Sequence, residues 1–199
     1  MLQLKAGDTL ILATHNTGKL EEIQTLLSPY GLHINCSGNL NIKEPEETED
    51  TFEGNALLKA RYTAEKTGHV SLADDSGLVV PALGGMPGIY SARWAGPDRN
   101  FAAAREKVHA LLDDKPRDAY FVCVLAVAWP DGSSKIFKAE SHGTLIWPAR
   151  GENGFGYDSM FIPLNDTRTY GEMTKVEKAQ TSHRVKAFKM FEQELLGRI

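Results

Sequence analysis

Two adjacent carboxylates, Asp74 and Asp75, follow residues 70–73, an apolar run with the length of a short buried strand. Ligands commonly bind at strand ends in α/β proteins. Two neighbouring anions repel each other unless a cation, a shared proton or solvent offsets their charge. Prolines and glycines in residues 81–88 then predict an irregular loop, and such loops are often functional. The pair therefore indicates either a ligand site that includes a cation, or a solvated turn with Ser76 and Gly77.

A second polar segment, residues 14–19, has the sequence THNTGK and follows an apolar, strand-like run at 9–13. Leucine and isoleucine residues then recur at helical spacing, which predicts a strand, a polar loop and a helix. Such a loop directs backbone N–H groups at the helix N-terminus, where the helix dipole favours an anion. Lys19 would add a positive charge. The segment indicates a phosphate-binding loop, or an ordinary helix cap with one surface lysine.

The acidic run at 44–50 precedes a predicted helix over 52–66, which Thr51 would cap. Acidic runs are usually solvated connectors, but Mg²⁺ is typically bound by one or two carboxylates together with substrate phosphates. Lys59 shares a helix face with Asn55, at a spacing of four residues. Spacing alone leaves two possibilities open: Lys59 is a solvated helix lysine, or it contacts a phosphate.

A glycine-rich segment with interleaved aromatic residues occupies residues 150–158. Phe155 and Tyr157 could stack on a planar ring, or they could form an aromatic packing corner. Thr174 and Glu177 have the spacing of a capping box, which predicts that another helix begins there. Three side chains that donate hydrogen bonds lie inside or soon after this helix start: Lys178, His183 and Arg184.

The remaining pattern indicates an α/β fold with a mixed sheet. A helix is predicted over 101–112, and a strongly apolar strand over 118–129. Pro130-Asp-Gly132 then predicts a turn, and residues 135–138 a return strand, so part of the sheet should be antiparallel.

Composition sets further limits. A length of 199 residues suits one domain, and the net charge of -4 gives no basic footprint for duplex nucleic acid. Cys36 and Cys123 lack metal-ligand spacing, which indicates free thiols in a reducing compartment. Neither a signal peptide nor an apolar run long enough to span a bilayer is present. We therefore expect a soluble cytoplasmic protein.

Six segments, taken together and in order, resemble the inosine triphosphate pyrophosphatase family, also called XTP/dITP diphosphatases. The similarity extends over nearly the whole chain, residues 1–199, as one domain with two lobes. The matching segments are THNTGK at 14–19, ET at 47–48 with TFEGNALLKAR at 51–61, ADDSGL at 73–78, GGMPGIYSAR at 84–93, GFGYD at 154–158 and SHR at 182–184.

The resemblance implies an enzyme that cleanses the nucleotide pool. It would hydrolyse the non-standard purine nucleoside triphosphates ITP, dITP and XTP to the monophosphate and pyrophosphate. It also implies a requirement for Mg²⁺, a homodimer, and no nucleic acid polymer or membrane as partner. The implied fold is an elongated α/β structure, with a mixed central sheet, flanking helices and a substrate cleft between two lobes.

By position, the resemblance makes Asp75 the base that activates water, and it makes Glu47, Asp74 and Asp75 the metal ligands. The implied substrate-binding residues are Thr14, His15, Asn16, Thr17, Gly18, Lys19, Lys59, Ser76, Phe155, Gly156, Tyr157, Asp158, Lys178, Ser182, His183 and Arg184. His15 departs from the small residue of many relatives, and Tyr157 is Tyr as in bacterial members. Neither departure removes a catalytic residue type.

Two other functions stay open at this point. A related nucleotide diphosphatase of the septum-inhibitor type acts on modified pyrimidine or 7-methyl-guanine nucleotides, and it would favour a different motif at 73–78. A non-catalytic nucleotide-binding protein is the other possibility. The Asp74–Asp75 pair and Glu47 argue against it, and release of pyrophosphate would exclude it.

Overall fold

A computed structural model describes residues 3–196. Six strands form one sheet: β1 (Thr9–Leu12), β2 (His33–Cys36), β3 (Val70–Val79), β4 (Asp118–Ala128), β5 (Ser134–Leu145) and β6 (Phe161–Pro163). Their order in the sheet is β2-β1-β3-β4-β5-β6. β1 pairs in parallel with both β2 and β3, whereas β5 and β6 pair antiparallel. The predicted α/β class with a mixed sheet and flanking helices is confirmed.

The α-helices are α1 (Thr17–Leu27), α2 (Phe52–Thr67), α3 (Phe101–Leu112), α4 (Lys175–Ala179) and α5 (His183–Phe191). Short 3-10 helices lie at Ser28–Tyr30, Ser37–Leu40, Pro81–Leu83, Gly88–Tyr90, Arg93–Ala95, Asp158–Met160 and Tyr170–Glu172, and a π-helical turn at Glu192–Leu196. Side chains cap several helix starts, as the sequence predicts. Thr51 caps α2, and the Thr174–Glu177 capping box opens α4. Among residues 3–196, no helix has both the length and the apolar character needed to cross a membrane.

The chain is organised as two compact units. The first contains residues 3–75, 123–138 and 186–196, and the second contains Ser76–Val122 and Ala139–Val185. In the first unit, β1, α1, α5 and the start of β3 all contribute buried apolar side chains, and β1 pairs with β3. In the second unit, a core of apolar and aromatic side chains includes Val108, Phe161 and Tyr170. The expected elongated shape and the cleft remain predictions.

One expected boundary is wrong. The strand expected to end before Asp74 continues through both carboxylates to Val79. Apolar residues resume at Leu78, and both aspartates are buried with lysine partners, so that they remain inside the strand. Because the two units divide after Asp75, this strand supplies Asp74 and Asp75 to the first unit and Ser76 to the second.

Candidate active site

The first unit contains a buried lysine that two carboxylates share. Lys59 Nζ lies 2.6 Å from Oε1 of Glu47 and 3.0 Å from Oδ1 of Asp75. Lys59 is on α2, Asp75 is in β3, and Glu47 belongs to the acidic loop before α2. Burial opposes the charge of Lys59, but the two carboxylates outweigh it and raise the pKa of the lysine above its usual value. The alternative of a solvated helix lysine is therefore wrong.

Asp75 combines burial with a near-neutral pKa. Loss of solvent raises the pKa of its carboxyl to about 6, although Lys59 and Lys19 favour the charged form. The negative charge of Glu47 adds to the increase. Its second oxygen, Oδ2, is buried and has no hydrogen-bond partner among residues 3–196. A carboxylate with one oxygen anchored and the other available suits a general base, because its pKa lies close to physiological pH.

The neighbouring Asp74 belongs to a separate chain of contacts. Its Oδ1 lies 2.5 Å from Nζ of Lys19, and its Oδ2 accepts a hydrogen bond from Sγ of Cys123 at 3.0 Å. The Asp74 side chain is fully buried. Lys19 comes from the first turn of α1 and Cys123 from β4. Asp74 thus anchors the lysine of the predicted phosphate-binding loop, and the position of this cation is fixed.

The predicted phosphate-binding loop leads into α1 as expected. Thr14 is buried and its Oγ1 accepts from N of Asn16 at 3.2 Å, while Asn16 caps the helix by accepting from N of Lys19. Thr17 and Gly18 form the first turn of α1. The Nδ1 atom of His15 lies 3.5 Å from Oε2 of Glu44.

The donor set fits a hard divalent cation that binds together with a phosphate ligand. Glu47 and Asp75 both contact the Lys59 ammonium, and Asp75 Oδ2 is a buried acceptor without a donor among residues 3–196. Within residues 3–196, no three or more His, Cys, Asp or Glu side chains are grouped to hold a metal ion. Mg²⁺ does not need such a group, because one or two carboxylates with water and substrate phosphates usually complete its shell.

The second unit holds a tight turn closed by Asp158. Oδ2 of Asp158 accepts from N of Phe155 at 2.9 Å and from Nζ of Lys178 at 2.7 Å. A Cβ at Gly154, whose φ is +74°, would lie 2.1 Å from the same oxygen, so this position requires glycine. Asp158 and Lys178 are both buried. Asp158 therefore shapes the turn, and Lys178 neutralises it.

Phe155 lies beside two cations at this turn. The Nζ of Lys178 is 4.9 Å from the centroid of its ring, and Cζ of Arg184 is 5.9 Å away. Arg184 is 1% exposed, and its Nη2 donates to Oγ of Ser76 at 3.0 Å. An aromatic ring and a buried guanidinium thus lie together, which is the combination that stacks on a planar ring and hydrogen-bonds its edge.

Tyr157 occupies a different environment from Phe155. It is 3% exposed and its ring packs edge-on against Phe101, with 5.6 Å between centroids. Its hydroxyl donates to the carbonyl of Ser91 at 2.9 Å. The hydroxyl of Ser91 in turn accepts a hydrogen bond from N of Leu78. The structure therefore places Tyr157 in the packing corner that the sequence left as an alternative, where it supports the turn.

Ser182 and His183 lie at the start of α5, buried next to Arg184. The His183 imidazole stacks on Phe121, with ring centroids 4.9 Å apart and planes inclined by 12°. In the turn, the carbonyl oxygen of Gly156 accepts a hydrogen bond from Nη1 of Arg105. The predicted substrate-binding residues of this unit lie in the turn at 155–158, in α4, at the start of α5 and in β3: Ser76, Phe155, Gly156, Tyr157, Asp158, Lys178, Ser182, His183 and Arg184.

Three residues with clear structural parts in these clusters were missed by the sequence analysis: Cys123, Ser91 and Arg105. Cys123 lies 49 residues from Asp74, and Arg105 lies 51 residues from Gly156. A thiol in an apolar strand and an arginine in an amphipathic helix carry no local signal for such contacts. Ser91 lay inside the segment 84–93, whose resemblance to the family was the one available indication.

The protein has an α/β fold, with buried lysine–carboxylate contacts in the first unit and a cluster of aromatic and cationic side chains in the second. Its sequence matches the Ham1 family over residues 10–194, and the chain belongs to that family. It is 47% identical to a dITP/XTP pyrophosphatase of Gluconobacter oxydans, with 96% of this chain and 92% of the relative covered. It is 52% identical to a dITP/XTP pyrophosphatase of Rhodospirillum centenum, with 92% and 93% covered.

A solved structure is also similar over almost the full length. The Ham1 protein of Staphylococcus aureus superposes with a TM-score of 0.85 at 37% sequence identity. The alignment covers 94% of this chain and 97% of that one. At this identity the likeness supports both the fold and the family, in agreement with the segments on which the sequence resemblance rests.

Proposed function

We propose that this protein hydrolyses non-standard purine nucleoside triphosphates, such as dITP, ITP and XTP, to the nucleoside monophosphate and pyrophosphate, with Mg²⁺ as cofactor. The observation that carries the proposal is Asp75, a buried carboxylate with a pKa of about 6, one oxygen held by Lys59 and the other unpaired. The relatives named dITP/XTP pyrophosphatase support the substrate class. The two alternative functions have no comparable support.

Asp75 would act as the general base. Near pH 8 a carboxyl with a pKa of about 6 is mostly ionised, so Oδ2 accepts a proton from the attacking water. The water oxygen bonds to the α-phosphorus while the bond from that phosphorus to the oxygen bridging the α- and β-phosphates breaks, so that the nucleoside monophosphate forms and pyrophosphate leaves. Lys59 holds Oδ1 and keeps the carboxylate in one orientation. Bound Mg²⁺, held by Glu47 and Asp75, would screen the phosphate charge and polarise a phosphoryl oxygen.

Positive charge in the first unit would stabilise the leaving group. Lys19 is fixed by Asp74, and Lys59 by two carboxylates, so both ammonium groups are oriented before a ligand binds. Fixed charges stabilise a transition state more effectively than mobile ones, because they need little reorganisation during the reaction. The backbone N–H groups at the start of α1 would add hydrogen bonds to the same phosphates. Asp74 would serve this reaction as a support of Lys19.

The cluster in the second unit would select the base. Phe155 offers a ring for stacking, which tolerates every purine. Arg184 is a donor, and donors match O6 of hypoxanthine or xanthine but not the amino group of adenine. When the wrong ligand leaves buried polar groups of the site unpaired, kcat/KM for that ligand can be ~10⁴-fold lower. Base selection would therefore come from Arg184 and neighbouring donors, while Phe155 supplies affinity.

The assembly and cellular setting belong to the same proposal: a cytoplasmic homodimer, with neither a nucleic acid polymer nor a membrane as partner. Sedimentation equilibrium at micromolar concentration would test the dimer, with a mass near twice 21.9 kDa expected.

A substrate panel tests the proposed activity. We expect kcat/KM for dITP, ITP and XTP to exceed that for ATP by at least ~10²-fold, and activity to disappear when EDTA removes Mg²⁺. Similar rates on all purine triphosphates would contradict the proposed selectivity. Preference for modified pyrimidine or 7-methyl-guanine nucleotides would instead support the septum-inhibitor-type function.

A further inference from the structure

Arg105 connects helix α3 to the glycine–aromatic turn of the second unit. Its Nη1 donates to the carbonyl oxygen of Gly156 at 2.6 Å. This carbonyl belongs to the peptide unit directly after Phe155–Gly156, so the guanidinium holds the turn one residue from the ring proposed to stack on the base. Burial lowers the pKa of Arg105, while the nearby Tyr157 and Asp158 favour its charged form.

The turn has anchors on either side of this bond. Asp158 Oδ2 holds N of Phe155, and the Tyr157 hydroxyl holds the carbonyl of Ser91. Gly156 itself has a φ of +66°, in the left-handed region. Glycine reaches many conformations at little cost, so the residue itself does not fix the orientation of its carbonyl. A partner that donates to that carbonyl can fix it.

An arginine is well suited to this task. A hydrogen bond from a charged guanidinium is stronger than one between neutral groups. Phe101, in the first turn of α3, also packs against Tyr157, so the helix contacts the turn at two points one helical turn apart. The helix therefore serves as a rigid support for residues 155–157.

From these contacts we propose that Arg105 is a positioning residue for base recognition. It fixes the Gly156 carbonyl and thereby holds Phe155 in the orientation that receives the purine ring, without contacting the nucleotide itself. This inference rests on the proposed function, because it assumes that Phe155 stacks on a base. Arg105 lies outside the sequence motifs and takes no part in the contacts of Lys19 and Lys59 described above.

Kinetics of three variants test the role. Arg105→Met removes the donor but keeps an unbranched side chain, and Arg105→Lys keeps one charged donor. Lys107→Met is the matched control, since Lys107 lies on the same helix with its ammonium 4.2 Å from the Trp94 ring. We expect R105M to raise KM for dITP about tenfold, the scale of a lost charged hydrogen bond, with kcat changed less than about threefold. R105K should recover part of the affinity, and K107M should match the unsubstituted protein.

Amide hydrogen exchange gives a readout that does not depend on activity. In R105M, exchange at residues 153–158 should be at least several-fold faster, while exchange at residues 14–19 stays unchanged. K107M should leave both segments unchanged. Unaltered exchange at 153–158 in R105M, or a loss of kcat with constant KM, would overturn the role of Arg105. Failure of the unsubstituted protein to hydrolyse dITP would overturn the proposed function instead, so the two failures are distinguishable.

Discussion

The ammonium nitrogen of Lys59 lies 3.0 Å from Oδ1 of Asp75, and both side chains are buried. The same nitrogen also contacts Glu47, so one lysine compensates two carboxylates that would otherwise repel each other. This arrangement leaves Asp75 Oδ2 as the atom available for chemistry. The buried lysine thus explains how the Asp75 carboxylate persists inside a strand, and which of its oxygens would accept a proton.

Replacing the proposed base should strongly lower turnover while nucleotide still binds. Asp75→Asn keeps the shape of the side chain and removes its charge. We expect kcat for dITP to fall by ~10² or more, the usual scale for general base catalysis. Asp131→Asn is the matched control, because Asp131 lies in the exposed turn between β4 and β5. Near-full activity of D75N would contradict the role of Asp75, and calorimetric titration would show whether nucleotide still binds.

The pH dependence of the reaction should report the environment of Asp75. A general base works when deprotonated, so kcat/KM should fall as the pH drops through the pKa of Asp75, which is about 6 before metal and substrate bind. Lys59 lowers this pKa, and its removal in Lys59→Met should move the acidic limb of the profile to higher pH. Profiles of both proteins at the same Mg²⁺ concentration provide the comparison. An unchanged limb would mean that another group controls it.

We expect the Cys123 thiol to affect activity indirectly, because it donates to Asp74, which in turn contacts Lys19. Cys123→Val removes the donor at similar volume, whereas Cys123→Ser retains a hydroxyl donor. We expect C123V to lower kcat/KM by about fivefold, the effect of one net hydrogen bond, and C123S to stay within about twofold. Cys36→Val is the control, because Cys36 is the other buried cysteine and neither cysteine forms a disulfide. Equal losses in C123V and C123S would indicate that only packing at Cys123 is disturbed.

Substitution of the stacking residue and of the donor residue should have different effects on substrate selectivity. Phe155→Ala should lower kcat/KM for dITP and for ATP by similar factors, because stacking is tolerant of base identity. Arg184→Ala should lower kcat/KM for dITP more than for ATP, since dITP alone loses a partner for O6. The variant should therefore show a smaller preference for dITP over ATP. The ratio of kcat/KM for the two substrates separates these effects. Equal losses on both substrates in R184A would place Arg184 at the phosphates.

Patterns that act within a few residues were predicted well from the sequence. Helix α3 begins and ends at the expected residues, Phe101 and Leu112, and the Thr174–Glu177 capping box opens α4. Local hydrogen bonds and hydrophobic periodicity determine such features, so they can be seen in short windows of sequence. The helix start at α1 belongs to the same group, because a residue of the preceding polar loop, Asn16, caps it.

Features that depend on distant partners were not predictable in this way. The strand through Asp74 and Asp75 was expected to end early, because aspartate disfavours strands and the lysines that offset its charge lie far away in sequence. Tyr157 has the local pattern of a stacking residue, yet its burial depends on Phe101 and Ser91. Motif position supplied the candidate site residues, whereas the different contacts of neighbours such as Phe155 and Tyr157 became visible only from the tertiary structure.

The products of dITP cleavage test the central claim most directly. Phosphorus NMR of a reaction with Mg²⁺ would distinguish pyrophosphate from orthophosphate, and ion-exchange chromatography would identify the nucleotide product. We predict one equivalent of pyrophosphate and one of dIMP per dITP consumed, with neither formed by D75N on the same timescale. Orthophosphate with dIDP, or complete stability of dITP, would contradict the proposed pyrophosphatase.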